Sequence, residues 1–218
     1  MFFRTLLTAS LLGSLLPLAC KAQNTLDAPR FYVGIGANML SKVPFTNQGT
    51  ATRLIGPAVM AGWQFTPRLA GQIGLSYHWK KDAYSYQTVD QTGYSISTYT
   101  YRSNYFTVPV LLRYTVTNPA ERFHFDILGG ATITHARGSS LVEYYSSTGT
   151  NLTPKESSYS DTQFNLTLGP AVRYALLPYL ELTATGLVSA VMGENYYRFS
   201  DRLFLNTAVG VNYTFGKG

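Results

Sequence analysis

The most constraining feature of this sequence is its last strand-like segment, residues 203–215, which reads LFLNTAVGVNYTF. Every second residue from Leu203 to Phe215 is apolar or threonine, whereas the residues between them are mostly small or polar. This period of two predicts a β-strand whose two faces meet different environments. If the apolar face meets lipid, the strand must pair with the first strand, near Phe31, because an open sheet edge cannot persist in hydrocarbon.

Seven further segments alternate in the same way, and none of the chain after residue 22 has a convincing helical pattern. In each of the eight segments, every second position forms an apolar face, called the apolar parity, and the positions between form the polar parity. The apolar parity contains no charged residue, His, Asn or Gln, although 13% of the chain is charged. Lipid explains this exclusion, since a Lys or Arg at the bilayer midplane costs about 2 to 4 kcal/mol. The polar parity carries too few charges for the solvated exterior of a soluble barrel. The sequence therefore predicts an all-β, eight-stranded, antiparallel up-and-down transmembrane β-barrel.

The connections between the predicted strands alternate in length. Long polar connections cover residues 40–55, 80–104, 136–162 and 192–202, and the others are short turns. This alternation is typical of bacterial outer-membrane barrels. We therefore expect four long extracellular loops, with both chain termini on the periplasmic side.

Prolines interrupt the predicted strands at Pro57, Pro109 and Pro170. Proline has no backbone N–H and removes one hydrogen bond from a ladder, and a closed barrel has no edge strand to accommodate it. Bulges or widened pairs are therefore expected at these positions.

The N-terminus has the pattern of a secretory signal peptide. Arg4 precedes an apolar run, which ends at Cys20-Lys21-Ala22 with small residues at the positions that signal peptidase reads. We expect a signal peptide at 1–22 and one β-barrel domain at 23–218. The mature chain would then contain no cysteine and no disulfide. Lipid attachment at Cys20 is the less favoured alternative, because Pro17 stands where such signals usually carry leucine.

Charge and composition limit the possible partners. The formal net charge is +6, and it falls to +4 when Arg4 and Lys21 are removed with the predicted signal peptide. This mild basic excess suits contact with anionic lipid headgroups, but it is too small and too dispersed to indicate nucleic-acid binding. No cluster has metal-ligand spacing, so neither a metal nor a cofactor is expected. The expected partners are outer-membrane lipid and lipopolysaccharide, and the barrel-assembly machinery during insertion. We expect a monomer, and the sequence does not predict its extracellular ligand.

The interior of an eight-stranded barrel is just wide enough to be filled by side chains. Arg113 and Arg173 are therefore predicted to form a buried polar and ionic network with Asp126 and Glu181. The alternative is that these residues line a narrow gated path for water or ions.

Aromatic residues indicate two kinds of surface. Amphipathic tyrosines among small hydroxyl residues make adaptable contact surfaces, and such tyrosines fill two of the predicted loops. The alternative is that their period of two only continues the strands beyond the membrane. The candidates for surface binding are Tyr84, Tyr86, Tyr94, Tyr99, Tyr101, Tyr144 and Tyr145. The candidates for the aromatic girdles at the membrane interfaces are Trp63, Phe65, Trp79, Tyr114 and Phe215.

The histidines raise the question of an enzyme, because small outer-membrane barrels include lipid-modifying and proteolytic enzymes. Ser76, Asp82 and Ser139 are near enough to His78 to sketch a triad, yet no spacing enforces one. We therefore expect no catalytic residues, and a structural or surface-binding role. The alternatives are a lipid-modifying barrel enzyme and a porin-like accessory protein of transport or secretion.

Residues 105–114, YFTVPVLLRY, resemble the aromatic, apolar, Pro, Leu-Leu, basic, Tyr strand of the PorT-like outer-membrane β-barrel family. The glycine-containing first strand, the Leu-Gly-Pro strand and the terminal aromatic strand are similar to that family too. The resemblance implies the barrel fold and the outer membrane of a Gram-negative cell. It implies no catalytic motif, and members of the family differ in role.

Overall fold

The structure, a computed structural model, describes residues 30–42, 53–90, 93–146, 152–193 and 202–215. The predicted signal peptide, residues 1–22, lies outside the described residues. Within those residues, no helix is long and apolar enough to cross a membrane. The strands are β1 (Arg30–Lys42), β2 (Arg53–Gln64), β3 (Leu69–Asp90), β4 (Gly93–Thr115), β5 (Phe123–Ser146), β6 (Leu152–Leu177), β7 (Leu180–Val191) and β8 (Leu203–Phe215).

The eight strands form one closed antiparallel barrel in sequence order. β8 pairs with β1 as predicted, and in the register of this pair Phe31 lies opposite Phe215. The apolar parity faces outward: Ile35, for example, is 69% exposed, whereas its neighbours on the polar parity face the lumen. The prediction of an eight-stranded, up-and-down transmembrane barrel is therefore confirmed.

Strands β3 to β6 are about twice as long as the others. They contain 22, 23, 24 and 26 residues, whereas β1, β2, β7 and β8 contain 12 or 13. The prediction of loops at 80–104 and 136–162 is wrong, because β3 stays paired with β4 as far as Asp90 and β5 with β6 as far as Tyr144. Tyrosine, threonine and valine in these segments favour extended backbone. The tyrosine-rich segments therefore do continue the strands, as their period of two indicated.

The outer parts of β3 to β6 form a sheet that extends beyond the rest of the barrel. Its base is the row Lys80, Ser103, Gly138 and Tyr159, which are paired in turn across the strands. From Lys80, β3 continues for about 33 Å at the usual rise per residue. The raised sheet is defined as residues 80–90, 93–103, 138–146 and 152–159.

One face of the raised sheet continues the inward parity of the barrel and is called the lumen-side face. The other continues the outward parity and is called the lipid-side face. The opposite end of the barrel has only short turns and is called the short-turn end. The other two predicted long loops fall mostly on residues 43–52 and 194–201, outside the described residues.

Each strand proline coincides with a break in the ladder on one side. Pairing of β2 with β3 ends at Ala58, next to Pro57. Pro109 is missing from the β3–β4 ladder and Pro170 from the β6–β7 ladder, and the register is the same on both sides of these gaps. The expected disturbance is therefore a local gap in pairing and not a bulge. On their other sides, the prolines keep the partners Ala37, Thr132 and Ile127.

Candidate functional site

A continuous cluster of tyrosines lies on the lumen-side face of the raised sheet. The ring centroid of Tyr84 is 5.2 Å from those of Tyr86 and Tyr99, and 5.7 Å from that of Tyr101. Tyr144, on β5, lies beside Tyr99. The cluster is open to solvent, since Tyr86 is 63% exposed and only Tyr99 is half-buried. The tyrosine face is defined as Tyr84, Tyr86, Tyr99, Tyr101 and Tyr144.

The predicted binding tyrosines do not all share this surface. Tyr94 and Tyr145 lie on the lipid-side face, with their ring centroids 6.4 Å apart. Successive residues of a strand point to opposite faces, so membership of a tyrosine-rich segment does not determine the face. Tyr105 and Tyr159 extend the tyrosine face towards the barrel.

Two phenol groups of the tyrosine face, those of Tyr84 and Tyr99, have raised pKa values. Tyr84 donates a hydrogen bond to the hydroxyl of Tyr101 at 3.3 Å, which raises the pKa of Tyr84 to about 12. The neighbouring phenol of Tyr144 raises the pKa of Tyr99. The face therefore offers flat apolar rings that are edged by hydroxyl groups.

A cavity of about 270 Å³ lies at the base of the tyrosine face. Its lining includes Tyr105, Tyr159, Asp161, Gln163 and Asn165. The Gln163 amide donates a hydrogen bond to Asp161 at 2.9 Å. Asn165 is only 3% exposed, and its Oδ1 has no hydrogen-bond partner in the described part of the chain. The cavity thus presents carboxylate and amide groups beside aromatic rings, and these groups can form hydrogen bonds with the hydroxyl groups of a ligand.

The position of Tyr159 depends on a glycine on the neighbouring strand. An added Cβ at Gly138 would come within 2.3 Å of the Tyr159 ring. Because Gly138 has no side chain, the ring lies across β5 and its hydroxyl reaches that of Ser103 on β4, at 3.3 Å.

A buried ion-pair network centred on Arg173 occupies the short-turn end of the lumen. The Arg173 Nε donates to Asp126 at 2.5 Å, and its Nη1 donates to both oxygens of Glu181 at 3.0 and 2.8 Å. Its Nη2 donates to the hydroxyl of Thr115 at 3.2 Å. Asp126 is fully buried and Arg173 is 8% exposed. The structure therefore brings Arg173, Asp126 and Glu181 together on three adjacent strands.

Arg113 does not join this network, which corrects the prediction that it would. Its guanidinium carbon lies 4.6 Å from the ring centre of Tyr32, and its Nε has no hydrogen-bond partner among the described residues. The Tyr32 hydroxyl donates to Gln72 at 3.2 Å, and Gly62 leaves room for the ring. Sequence reasoning missed Tyr32, although an aromatic residue on the polar parity of β1 was the available signal.

An apolar layer crosses the lumen between this network and the cavity. Leu111, Leu128, Ala171 and Leu187 are all at least 94% buried there. Beyond them, the hydroxyl groups of Thr132, Thr167 and Ser189 form a chain with spacings of 2.7 and 2.8 Å. The side chains of the lumen therefore form charged, apolar and polar layers in succession.

The residues of the sketched triad are not joined in the structure. His78 is buried in the lumen, with its Nε2 2.9 Å from Asn38 Oδ1, and its Nδ1 has no partner among the described residues. Neither Ser76 nor Ser139 therefore bonds to that nitrogen. Asp82 is four residues further along the strand, about 13 Å away, and pairs with Lys80 at 2.6 Å. The described segments also contain no group of His, Cys, Asp and Glu side chains that could hold a metal ion.

The predicted girdle residues are all exposed on the outer surface of the barrel. Trp63 lies at the short-turn end, with its ring centroid 5.4 Å from that of Phe31 and 5.7 Å from that of Phe65. Tyr114 and Phe215 are at the same end, each 47% exposed. Trp79 lies nearer the raised sheet and is 57% exposed.

Solved structures with the same fold come from outer membranes. A major outer membrane protein from Thermus thermophilus is 17% identical with a TM-score of 0.55, covering 86% of this chain and 100% of that one. The Ail attachment invasion locus protein of Yersinia pestis, solved with the heparin analogue sucrose octasulfate, is 12% identical with a TM-score of 0.51, covering 86% and 99%.

No curated protein matches the chain at a significant level. A family model, described as the outer membrane protein beta-barrel domain, matches residues 6–215. That match extends over all the described strands, from β1 to β8. By its sequence and its closed eight-stranded fold, the chain belongs to the outer membrane protein beta-barrel domain family.

Proposed function

We propose that this outer-membrane barrel is a non-enzymatic cell-surface protein that binds an external glycan at the tyrosine face and the adjoining cavity. The observation that carries the proposal is the continuous tyrosine face centred on Tyr84, which extends beyond the barrel on the raised sheet. A buried structural role would not require aromatic rings with this exposure.

The chemistry of the surface favours a carbohydrate. Exposed tyrosine rings stack on the flat C–H faces of sugars, and their hydroxyl groups accept and donate hydrogen bonds at the edge. In the cavity, Asp161 adds a carboxylate. Asn165 adds an amide oxygen that has no hydrogen-bond partner among the described residues. A protein ligand would use the same rings, and the experiment below distinguishes the two.

The same proposal includes an orientation and a set of partners. Short turns on one side and long segments on the other support a periplasmic short-turn end and an external raised sheet. The YFTVPVLLRY stretch of β4 supports a place in the PorT-like branch of the family. The barrel would insert through the barrel-assembly machinery and function as a monomer among outer-membrane lipids.

Protease treatment of intact cells tests the orientation. Cleavage is expected after Lys155, near the outer end of the raised sheet, and protection is expected at Arg68 and Arg122 at the short-turn end. Mass spectrometry of the released peptides identifies the cut sites. Cleavage at Arg122 with protection of Lys155 would show that the barrel has the opposite orientation.

A printed glycan array probed with the purified barrel in detergent tests the binding function. The wild-type protein is expected to bind at least one class of glycan. A Tyr84→Ser/Tyr99→Ser/Tyr101→Ser variant is expected to bind about 100-fold more weakly, since each ring contributes roughly 1 kcal/mol.

The matched control removes tyrosines from the other face of the same sheet. A Tyr94→Ser/Tyr145→Ser variant is expected to bind the array as the wild type does. Equal losses in both variants would show that the tyrosine face is not the site. Failure of the wild-type protein to bind any glycan would reject the carbohydrate proposal.

A further inference from the structure

The lipid-side face carries a cluster of cationic side chains at the base of the raised sheet. Lys81 on β3 lies directly opposite Arg102 on β4. Arg137 on β5 is diagonal to Arg102, because Arg102 lies opposite Ser139, two residues further along β5. All three basic side chains are exposed on the same face. The basic triad is defined as Lys81, Arg102 and Arg137.

The basic triad is unfavourable in the protein by itself. Like charges directly opposite each other on a sheet are destabilising, and Lys81 and Arg102 are such a pair. No ion pair joins the triad to a carboxylate in the described segments, and the nearby Asp82 is on the other face and pairs with Lys80. No carboxylate among the described residues therefore balances the positive charge of the triad.

The position of the triad relative to the membrane indicates which kind of anion would balance its charge. From Leu69 to Trp79, β3 extends about 33 Å, and a strand tilt of about 40 to 45° reduces this to about 25 Å. That height matches the apolar band of an outer-membrane barrel, which is about 25 Å tall. Trp79 stacks with Tyr77 at 5.6 Å and lies at the upper border of this band. Lys81 follows Trp79 by two residues, on the same face of β3, and therefore lies at the level of the lipid headgroups.

The spacing of the triad exceeds the size of one phosphate. Strands lie about 4.8 Å apart, so Lys81 and Arg137 are separated by about 9.6 Å across the sheet and by two residues along it. The resulting distance between their Cα atoms is about 12 Å. A headgroup that carries two phosphates fits this span better than a phospholipid that carries one.

We propose that Lys81, Arg102 and Arg137 bind the phosphates of a bis-phosphorylated glycolipid of the lipid A type in the outer leaflet. Arginine pairs with phosphate oxygens through two parallel hydrogen bonds, and lysine adds a point charge. The bound anion would remove the repulsion between Lys81 and Arg102. The basic triad and the tyrosine face lie on opposite faces of the sheet, so one copy of the protein can bind the glycolipid and the external glycan at the same time.

Titration of the detergent-solubilised barrel with lipid A, followed by native mass spectrometry, tests this site. A Lys81→Gln/Arg102→Gln/Arg137→Gln variant is expected to bind lipid A on the order of 100-fold more weakly, or about fivefold for each cation removed. Unchanged heat-modifiability on gels checks that the variant still folds. Affinity equal to that of the wild type would overturn the proposal.

Three parallel measurements define what is recognised. An Arg30→Gln/Arg68→Gln/Arg122→Gln variant removes the same charge at the short-turn end and is expected to retain the affinity. Fully dephosphorylated lipid A and phosphatidylglycerol are both expected to bind more weakly than lipid A. Equal binding of the dephosphorylated lipid would exclude phosphate recognition, and equal binding of phosphatidylglycerol would exclude the glycolipid.

The leaflet assignment depends on the proposed orientation, whereas the binding measurement in detergent does not. Protease treatment of cells tests the orientation, and the titration tests the site. Failure of either proposal can therefore be recognised without the other.

Discussion

Replacing Arg173 with methionine is expected to destabilise the barrel by about 3 to 5 kcal/mol. The change leaves Asp126 fully buried without its cation and removes both hydrogen bonds to Glu181. Methionine occupies the space of the aliphatic part of the arginine side chain. The expected loss of stability therefore comes from removing the charge and not from creating a cavity. Urea unfolding in lipid vesicles, followed by tryptophan fluorescence, measures the free energy of unfolding.

Arg113→Met is the control for this prediction. Arg113 is buried to a similar degree, but it stacks on Tyr32 and has no carboxylate partner among the described residues. Its cation–π contact is worth at most about 2 kcal/mol, and methionine also removes the cost of a buried unpaired charge. We therefore expect a change of less than about 1 kcal/mol. Equal losses for the two arginines would show that the ion pairs do not determine the stability of the lumen.

A second variant distinguishes breaking the network from replacing it. Arg173→Met/Asp126→Leu/Glu181→Leu removes all the charges together and is expected to recover most of the stability lost by Arg173→Met. The reason is that the desolvation of three ionic groups is avoided when none remains. A triple variant less stable than Arg173→Met alone would contradict this account.

Gly169→Ala is expected to destabilise the closed barrel by about 1 to 3 kcal/mol, and Gly169→Val by more. An added Cβ at Gly169 would lie 2.1 Å from the backbone oxygen of Gly186 and 2.9 Å from the Cα of Leu187. Both atoms belong to the backbone of β7, which cannot move away without disturbing its ladder with β8. Heat-modifiability and urea unfolding in lipid vesicles measure the effect.

Gly186→Ala is the matched control, because it makes the same chemical change on the adjacent strand. An added Cβ at Gly186 meets nothing within 4 Å. Fewer conformations of the unfolded chain should then make this variant about 0.4 to 1 kcal/mol more stable. If Gly169→Ala were as stable as Gly186→Ala, the two backbones would not approach as closely as the structure indicates.

The sequence predicted the barrel well because the two faces of every strand meet different solvents. The absence of charge on one parity located the lipid surface, and the pairing of β8 with β1 followed from the need to pair the last strand. Predictions that required knowledge of neighbouring strands were less accurate. The side chains of Arg113 and Asp126 both point into the lumen, but the neighbour of Arg113 in space is Tyr32 on the first strand.

The extent of the strands was the main error. Hydrophobicity alternates only where one face meets lipid, so the pattern weakens above the membrane although the backbone stays extended. The predicted loops at 80–104 and 136–162 are therefore mostly strands. The error also concealed the basic triad, because Lys81, Arg102 and Arg137 share a face only if the strands continue through them.

The sequence by itself determined the number of strands, their inward and outward faces and the closed topology, because these depend on a local period of two. Only the tertiary structure decided the partners across strands: Arg173 with Asp126 and Glu181, the tyrosine face and the basic triad. Those contacts depend on the register between strands that are distant in the chain. Register is set by packing and closure of the whole barrel, and one strand's own pattern does not contain it.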